Sequence, residues 1–289
     1  MRVTIPEIRK MKARGIPIPM LTAYDAVTAR LVEEAEIPLI LVGDSLGMVV
    51  LGYADTTAVT MDDMLHHVKA VMRGSKRALV VADMPFMSYH VSVERALENA
   101  ARFVQEAGTQ AVKLEGGQAI AHTIRRMVAA GIPVMGHVGL TPQQVLNLGG
   151  YRVQGRSLEA AEQILKDALA VEAAGCFAVV LECIPAELAR LITETLEIPT
   201  IGIGAGPDCD GQVQVIHDLL GWIPDFTPKH AKRYADLGEV IRGAARKYAE
   251  EVRGRQFFTA ERGVPLDEAV IRSLKDRLSA LRANREECS

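Results

Sequence analysis

Aromatic residues are scarce, 4% of 289, with a single tryptophan. Platforms that stack single-stranded bases need such rings in series, which disfavours that class. Charge of one sign is lacking too: 33 basic against 36 acidic residues leave a net −3. Binding to a phosphate backbone draws on a basic surface and counterion release, so no nucleic-acid partner is expected. Cysteine is sparse. Cys176, Cys183, Cys209 and Cys288 form no C-x-x-C pair and fit no zinc spacing, and free thiols in a reducing compartment are expected. No apolar run is long enough for a bilayer, since the one around residues 37–51 is broken by Asp44. No membrane partner is expected either. The segment Met1-Arg2-Val3-Thr4-Ile5-Pro6 lacks an apolar signal core, and a cytoplasmic protein is the resulting expectation.

What the chain does have is an ordinary globular balance, 49% apolar and 24% charged. It is long enough to bury a full core without staples. One phrase recurs: Gly15-Ile16-Pro17, Glu36-Ile37-Pro38, Gly131-Ile132-Pro133 and Glu197-Ile198-Pro199 each precede an apolar stretch. Proline cannot continue a helix and biases the residue before it towards extended geometry. Each phrase therefore marks a helix ending and a strand beginning. Strands are expected at 18–23, 39–43, 78–83, 110–115, 133–138, 177–182, 199–203 and 212–217. Runs such as Leu39-Ile40-Leu41-Val42 suit strands buried on both faces.

Helical patterns lie between them. Met61, Met64, Leu65, Val68, Val71 and Met72 share one 3.6-residue face behind a Thr60 N-cap. Ser92 opens another helix, closed by Gly108; further helices are expected over 118–130 and 157–174. Pro185 is placed at N1 of a fifth, with Leu188, Leu191, Ile192 and Leu196 inward. Eight strands alternating with helices predict a parallel sheet, and the count and length favour closure into a (β/α)8 TIM barrel over 1–257. Residues 258–289, with Leu274, Leu278 and Leu281 among charges, read as an amphipathic helical tail suited to a partner subunit.

Catalytic side chains of such barrels sit at the C-terminal ends of the strands. There the sequence places Asp44, Asp83 and Glu115 on three successive strands, and Glu182 on the far side. Four carboxylates in one small volume repel each other, and burial raises their pKa values. A hard cation resolves the conflict, and an all-oxygen set favours Mg²⁺ over Zn²⁺. A strand-end Asp can instead cap the next helix. Lys113, two residues from Glu115 on one strand, faces the same side and suits a substrate carboxylate or oxo group. The alternatives are a charge-neutralising ion pair and a Schiff-base lysine, the latter weakened by a metal that already polarises a carbonyl. Glu182, off the metal, suits a general base, or a buried acid paired with an arginine. His137 suits a substrate contact or a backbone carbonyl. His66 and His67 lie on a helix and read as structural or exposed. The run Gly202-Ile203-Gly204-Ala205-Gly206 is not G-x-G-x-x-G, and a tight turn at the rim is expected rather than a dinucleotide site.

These residues lie in segments that carry a resemblance. Leu21-Thr22-Ala23-Tyr24-Asp25, Val42-Gly43-Asp44-Ser45-Leu46-Gly47, Ala82-Asp83-Met84-Pro85-Phe86, Val112-Lys113-Leu114-Glu115-Gly116, Gly136-His137-Val138-Gly139-Leu140-Thr141-Pro142-Gln143, Glu182-Cys183-Ile184-Pro185 and Ile201-Gly202-Ile203-Gly204-Ala205-Gly206 occur in this order. The chain resembles the ketopantoate hydroxymethyltransferases over roughly residues 3–250. The resemblance implies transfer of a hydroxymethyl group from 5,10-methylenetetrahydrofolate to 3-methyl-2-oxobutanoate, giving 2-dehydropantoate for pantothenate synthesis. It implies Mg²⁺ on Asp44, Asp83 and Glu115, the last directly or through water. It also implies keto-acid contacts from Asp44, Ser45, Asp83 and Lys113, Glu182 as proton acceptor, and a cytoplasmic homodecamer. Two other readings stand beside it. One is a lyase or mutase of the isocitrate lyase and phosphoenolpyruvate mutase group, though the Cys-Gly-His loop usual in those lyases is missing. The other is a non-catalytic keto-acid binder.

Overall fold

All four Ile-Pro phrases hand the chain directly to a strand in the computed structural model, which describes residues 1–223, 228–258 and 263–286. The strands are β1 (Ile18–Thr22), β2 (Leu39–Val42), β3 (Leu79–Asp83), β4 (Ala111–Glu115), β5 (Val134–Gly139), β6 (Ala178–Glu182), β7 (Thr200–Ile203) and β8 (Gly211–Gln214). All neighbours are parallel, and β1 pairs with β8, which closes the barrel in the order β1 to β8. The expected (β/α)8 barrel is what the chain forms. Contacts divide the chain into two compact units, Met1–Leu237 and Gly238–Ser289. The second holds helices Leu237–Arg253, from its second residue on, and Glu268–Glu286. The division falls before the boundary expected after residue 257. Cys176, Cys183 and Cys209 are free thiols; Cys288 lies outside the described residues.

Both faces of the strands are apolar, for two different reasons. Ile40, Val42, Val80, Ala82, Val112, Leu114, Val179 and Leu181 pack outward under the helices. The alternate residues, Ile18, Met20, Leu39, Leu41, Leu79, Val81, Ala111, Met135, Ala178, Val180, Ile201 and Val213, fill the barrel interior. A helix at Ile5–Ala13, not expected from the sequence, adds buried Ile8 to this inner cluster. Its signal was local: Pro6 at the helix start and Glu7, whose Oε2 accepts from Thr4 N and Oγ1, each at 2.7 Å.

Three sequence expectations need correction. The last strand ends at Gln214, and Ile216–Leu219 is a helical turn. A short apolar run cannot distinguish these by periodicity; here Ile216 N donates to Thr22 Oγ1 instead of a strand ladder, at 2.9 Å. Pro185 is the N-cap of Ala186–Thr195, not its first helical residue. Leu191 is 50% exposed, because the buried stripe of that helix runs through Ala189 and Ile192.

One buried carboxylate ties two helix ends to the barrel wall. Glu33 Oε2 accepts from Ser75 Oγ, Lys76 N, Arg77 N and Ala78 N at 2.5–2.9 Å. Burial alone would raise its pKa, but the bonds donated by Ala78, Ser75, Arg77 and Lys76 outweigh that and lower it to about 2. A depressed folded pKa contributes stability above the unfolded value, and that stability is lost as pH falls towards 2. Glu33→Gln is therefore expected to cost roughly 2 kcal/mol at neutral pH, after allowance for screening. Urea titrations should show the difference from wild type shrinking below about pH 4; a difference independent of pH would remove the charge from this account.

Candidate active site

Period-two alternation places the polar residues. Asp83 is the next inward position after Leu79 and Val81; Lys113 and Glu115 follow Ala111; His137 follows Met135; Glu182 follows Ala178 and Val180. The inner apolar layers thus give way to a polar layer at the C-terminal mouth. Register then sets the neighbours: Asp83 lies beside Lys113, and Glu115 beside His137. Asp44 stands two residues beyond β2, after Gly43. A Cβ at Gly43 would lie 2.8 Å from Ser45 Oγ and 3.4 Å from Asp83 Oδ2, so a larger residue there would push the Ser45 hydroxyl aside.

Asp44, Asp83, Lys113, Glu115 and His137 are all buried. Lys113 Nζ donates to Asp83 Oδ1 at 2.6 Å and stands 3.9 Å from Glu115 Oε1. Asp44 N donates to Asp83 Oδ2 at 3.2 Å. Ser45 Oγ, half-buried, shares a 2.8 Å hydrogen bond with Tyr24. His137 bridges the mouth, with Nδ1 3.5 Å from Glu115 Oε1 and Nε2 3.3 Å from Glu182 Oε2. Neither ring nitrogen is aimed well enough for a hydrogen bond, so both contacts are ionic. The backbone-carbonyl reading of His137 is thereby corrected, and among the described residues no arginine pairs with Glu182. Among the described residues, Asp25 is a strand-end acid that does cap a helix, accepting from Val27 N and Thr28 N.

The electrostatics are uneven. Burial pushes the Asp44 carboxyl well above its usual range, and repulsion from Asp83 and Glu115 adds to this, against Lys113 and Gln143. Burial also raises Asp83, with Lys113 opposing. Burial would raise Glu115 too, but its contacts with His137 and Lys113 hold it below the usual value. For Lys113, burial favours the neutral amine, but Asp83, Glu115 and Asp44 outweigh it and the ammonium persists. Burial and Lys113 both disfavour a charge on His137, yet Glu115 and Glu182 push its pKa up to about 9. Asp44 and Asp83 are therefore the two acids of the site that resist ionisation, and a bound cation would relieve them.

Among the described residues no three His, Cys, Asp or Glu side chains form a ready metal cage. The donor chemistry still fits a hard cation of the Mg²⁺ type, which uses one or two carboxylates and leaves its other positions to water and substrate. Asp44 and Asp83 would suit that pair: adjacent, buried, and each pushed up in pKa chiefly by that burial. Glu115 is turned towards Gln143, His137 and Lys113.

Sequence reasoning missed Gln143, Tyr89 and Tyr24 as members of the site. Gln143 Nε2 donates to Asp44 Oδ2 at 2.8 Å, and Tyr89 lies against the backbone of Glu115. A polar residue in a turn just past a strand end was the available signal for Gln143.

The end of β6 is held by a close approach. Gly139 has φ +97°, and a Cβ there would lie 2.4 Å from the Glu182 carbonyl oxygen. Gly139→Ala is expected to cost about 1–3 kcal/mol, read as a lowered denaturation midpoint. An unchanged midpoint would show that the strand ends part freely.

Comparison with known proteins identifies the family. The sequence profile described as ketopantoate hydroxymethyltransferase matches residues 2–260. A 3-methyl-2-oxobutanoate hydroxymethyltransferase of Dehalococcoides mccartyi is 58% identical over 280 residues, 97% of this chain and 99% of that protein. One of Carboxydothermus hydrogenoformans is 60% identical over 256 residues, 89% and 93% of the two chains. The crystal structure of a phosphonopyruvate hydrolase matches at a TM-score of 0.61 and 14% identity, covering 98% of this chain and 99% of that one. That last likeness concerns the fold alone. On the profile and the two close relatives, this chain belongs to the ketopantoate hydroxymethyltransferase family.

Proposed function

We propose that the protein transfers a hydroxymethyl group from 5,10-methylenetetrahydrofolate to 3-methyl-2-oxobutanoate, giving 2-dehydropantoate for pantothenate synthesis, with Mg²⁺ as cofactor. The observation that carries the reading is a division of labour across the mouth. A cationic and metal-fitting side (Asp44, Asp83, Lys113) faces a carboxylate, Glu182, whose side-chain ion pair among the described residues is with His137. Asp44 and Asp83 would hold the ion, with Glu115 acting directly or through water. When bound, the ion supplies Lewis-acid polarisation of the keto acid's oxygens.

The remaining roles belong to the chain. Lys113 places a fixed ammonium against negative charge on the substrate, in a water-poor site where it counts most. Ser45, oriented by Tyr24, offers a hydroxyl to the substrate carboxylate. Glu182 removes the C3 proton, and His137 holds Glu182 in place by charge. The resulting C3 nucleophile attacks the donor's methylene carbon. Overall the C3–H bond breaks, a C–C bond forms, the methylene loses both bonds to folate nitrogen, and water supplies the hydroxyl. The same reading makes the protein a cytoplasmic homodecamer, which sedimentation would test.

The direct experiment is detection of 2-dehydropantoate by mass spectrometry from keto acid and folate donor. Product is expected with Mg²⁺, is lost with a chelator and returns when Mg²⁺ is restored. Absence of product with all components present would overturn the assignment.

A further inference from the structure

Gln143 sits in the turn Pro142–Gln144 after β5 and is 2% exposed. Its backbone N–H donates to Glu115 Oε2 at 3.0 Å. Its Nε2 donates to Asp44 Oδ2 at 2.8 Å and to Met84 O at 2.9 Å. Its Oε1 accepts from the Tyr89 hydroxyl at 2.8 Å. One residue thus binds groups from the ends of β2, β3 and β4.

The direction of these bonds is set by counting protons. A tyrosine hydroxyl has one proton to give. Glu115 N donates to the Tyr89 oxygen at 3.1 Å, and the hydroxyl gives its proton to Gln143 along the shorter contact. With Oε1 engaged, both Nε2 protons are left for Asp44 and Met84. A turned amide would set Oε1 against a carboxylate and a carbonyl, two acceptors. The chain therefore runs one way: Glu115 N–H to Tyr89, Tyr89 to Gln143, Gln143 to Asp44.

Asp44 Oδ2 is consequently committed, and among the described residues no donor reaches Asp44 Oδ1. A carboxylate held in this way meets a cation through one oxygen. Mg²⁺ takes single-oxygen ligands at short range in strict octahedral geometry; Ca²⁺ is larger and readily takes both oxygens of a carboxylate. The geometry points to Gln143 as a positioning residue that sets the site's preference for a small octahedral cation over Ca²⁺, by leaving Asp44 one free oxygen. This rests on the metal-assisted reading proposed above.

The test is Mn²⁺ binding followed by the EPR signal of the free ion, with Mg²⁺ and Ca²⁺ as competitors and no keto acid present. Wild type is expected to favour Mg²⁺ over Ca²⁺ as competitor by about tenfold or more. Gln143→Leu is expected to narrow the ratio to about threefold, chiefly through tighter Ca²⁺. Tyr89→Phe keeps the carboxamide but frees it to turn, and should shift the ratio part of the way, which keeps the test usable if Gln143→Leu does not fold. A role in folding alone would lower the unfolding midpoint and Mn²⁺ affinity and leave the Mg²⁺/Ca²⁺ ratio as in wild type in both variants; that result overturns the inference. A wild type that binds Mn²⁺ but shows no preference overturns it as well, with the functional reading intact. A wild type that binds no Mn²⁺ removes both.

Discussion

Glu182→Gln is expected to bind 3-methyl-2-oxobutanoate within about threefold of wild type while its exchange of the C3 hydrogen with deuterated solvent falls by roughly 10³-fold, the usual contribution of a positioned base. Exchange needs only the keto acid and Mg²⁺, so the folate donor can be left out and the proton-transfer step is read alone. The amide keeps the shape of the side chain but removes both the proton acceptor and the charge facing His137 Nε2. Proton NMR of the keto acid in D₂O follows the loss of signal directly. Full exchange by the variant would take the base role from Glu182. Binding without exchange by the wild-type protein would favour a keto-acid binder.

Lys113→Met should be the more damaging change, because it acts on both binding and folding. The ammonium is buried and lies 2.6 Å from Asp83 Oδ1 and 3.9 Å from Glu115 Oε1. Without it, three buried carboxylates lose a shared counter-charge. Removing one partner of such a buried group costs on the order of 3–5 kcal/mol, and kcat/KM for the keto acid should fall by roughly 10²–10³-fold. The sign with pH separates the two effects. The burial and repulsion that already raise Asp44 and Asp83 would act unopposed, so the variant should regain stability as pH falls and these acids protonate. Thermal unfolding between about pH 5 and 8 reads this. A variant as stable as wild type throughout would show that the ammonium is not balancing the acids.

Much of the fold was legible because its signals are local. Proline after isoleucine starts β1, β2, β5 and β7, and uninterrupted apolar runs mark walls buried on both sides. The apolar run at the end of β8 misled, since Val215 and Ile216 serve a helical turn as well as they would serve a strand. The acids of the candidate site were legible for a related reason. A charged residue that continues an inward-facing apolar series has nowhere to point but the barrel mouth, as Asp83 and Glu182 show. Gln143 had no such mark. Its partners lie 28, 59 and 99 residues away in sequence, at Glu115, Met84 and Asp44, and strand register alone brings them together. The ionic bridge made by His137 was hidden similarly, because a histidine on a strand does not announce which neighbours will flank it.

The short helix that lodges Ile8 among the inner side chains has a kinetic corollary. With the floor of the barrel stoppered, reactants share one doorway. On the proposed chemistry the oxo acid and its donor would enter, and their products leave, by the same C-terminal face of the barrel.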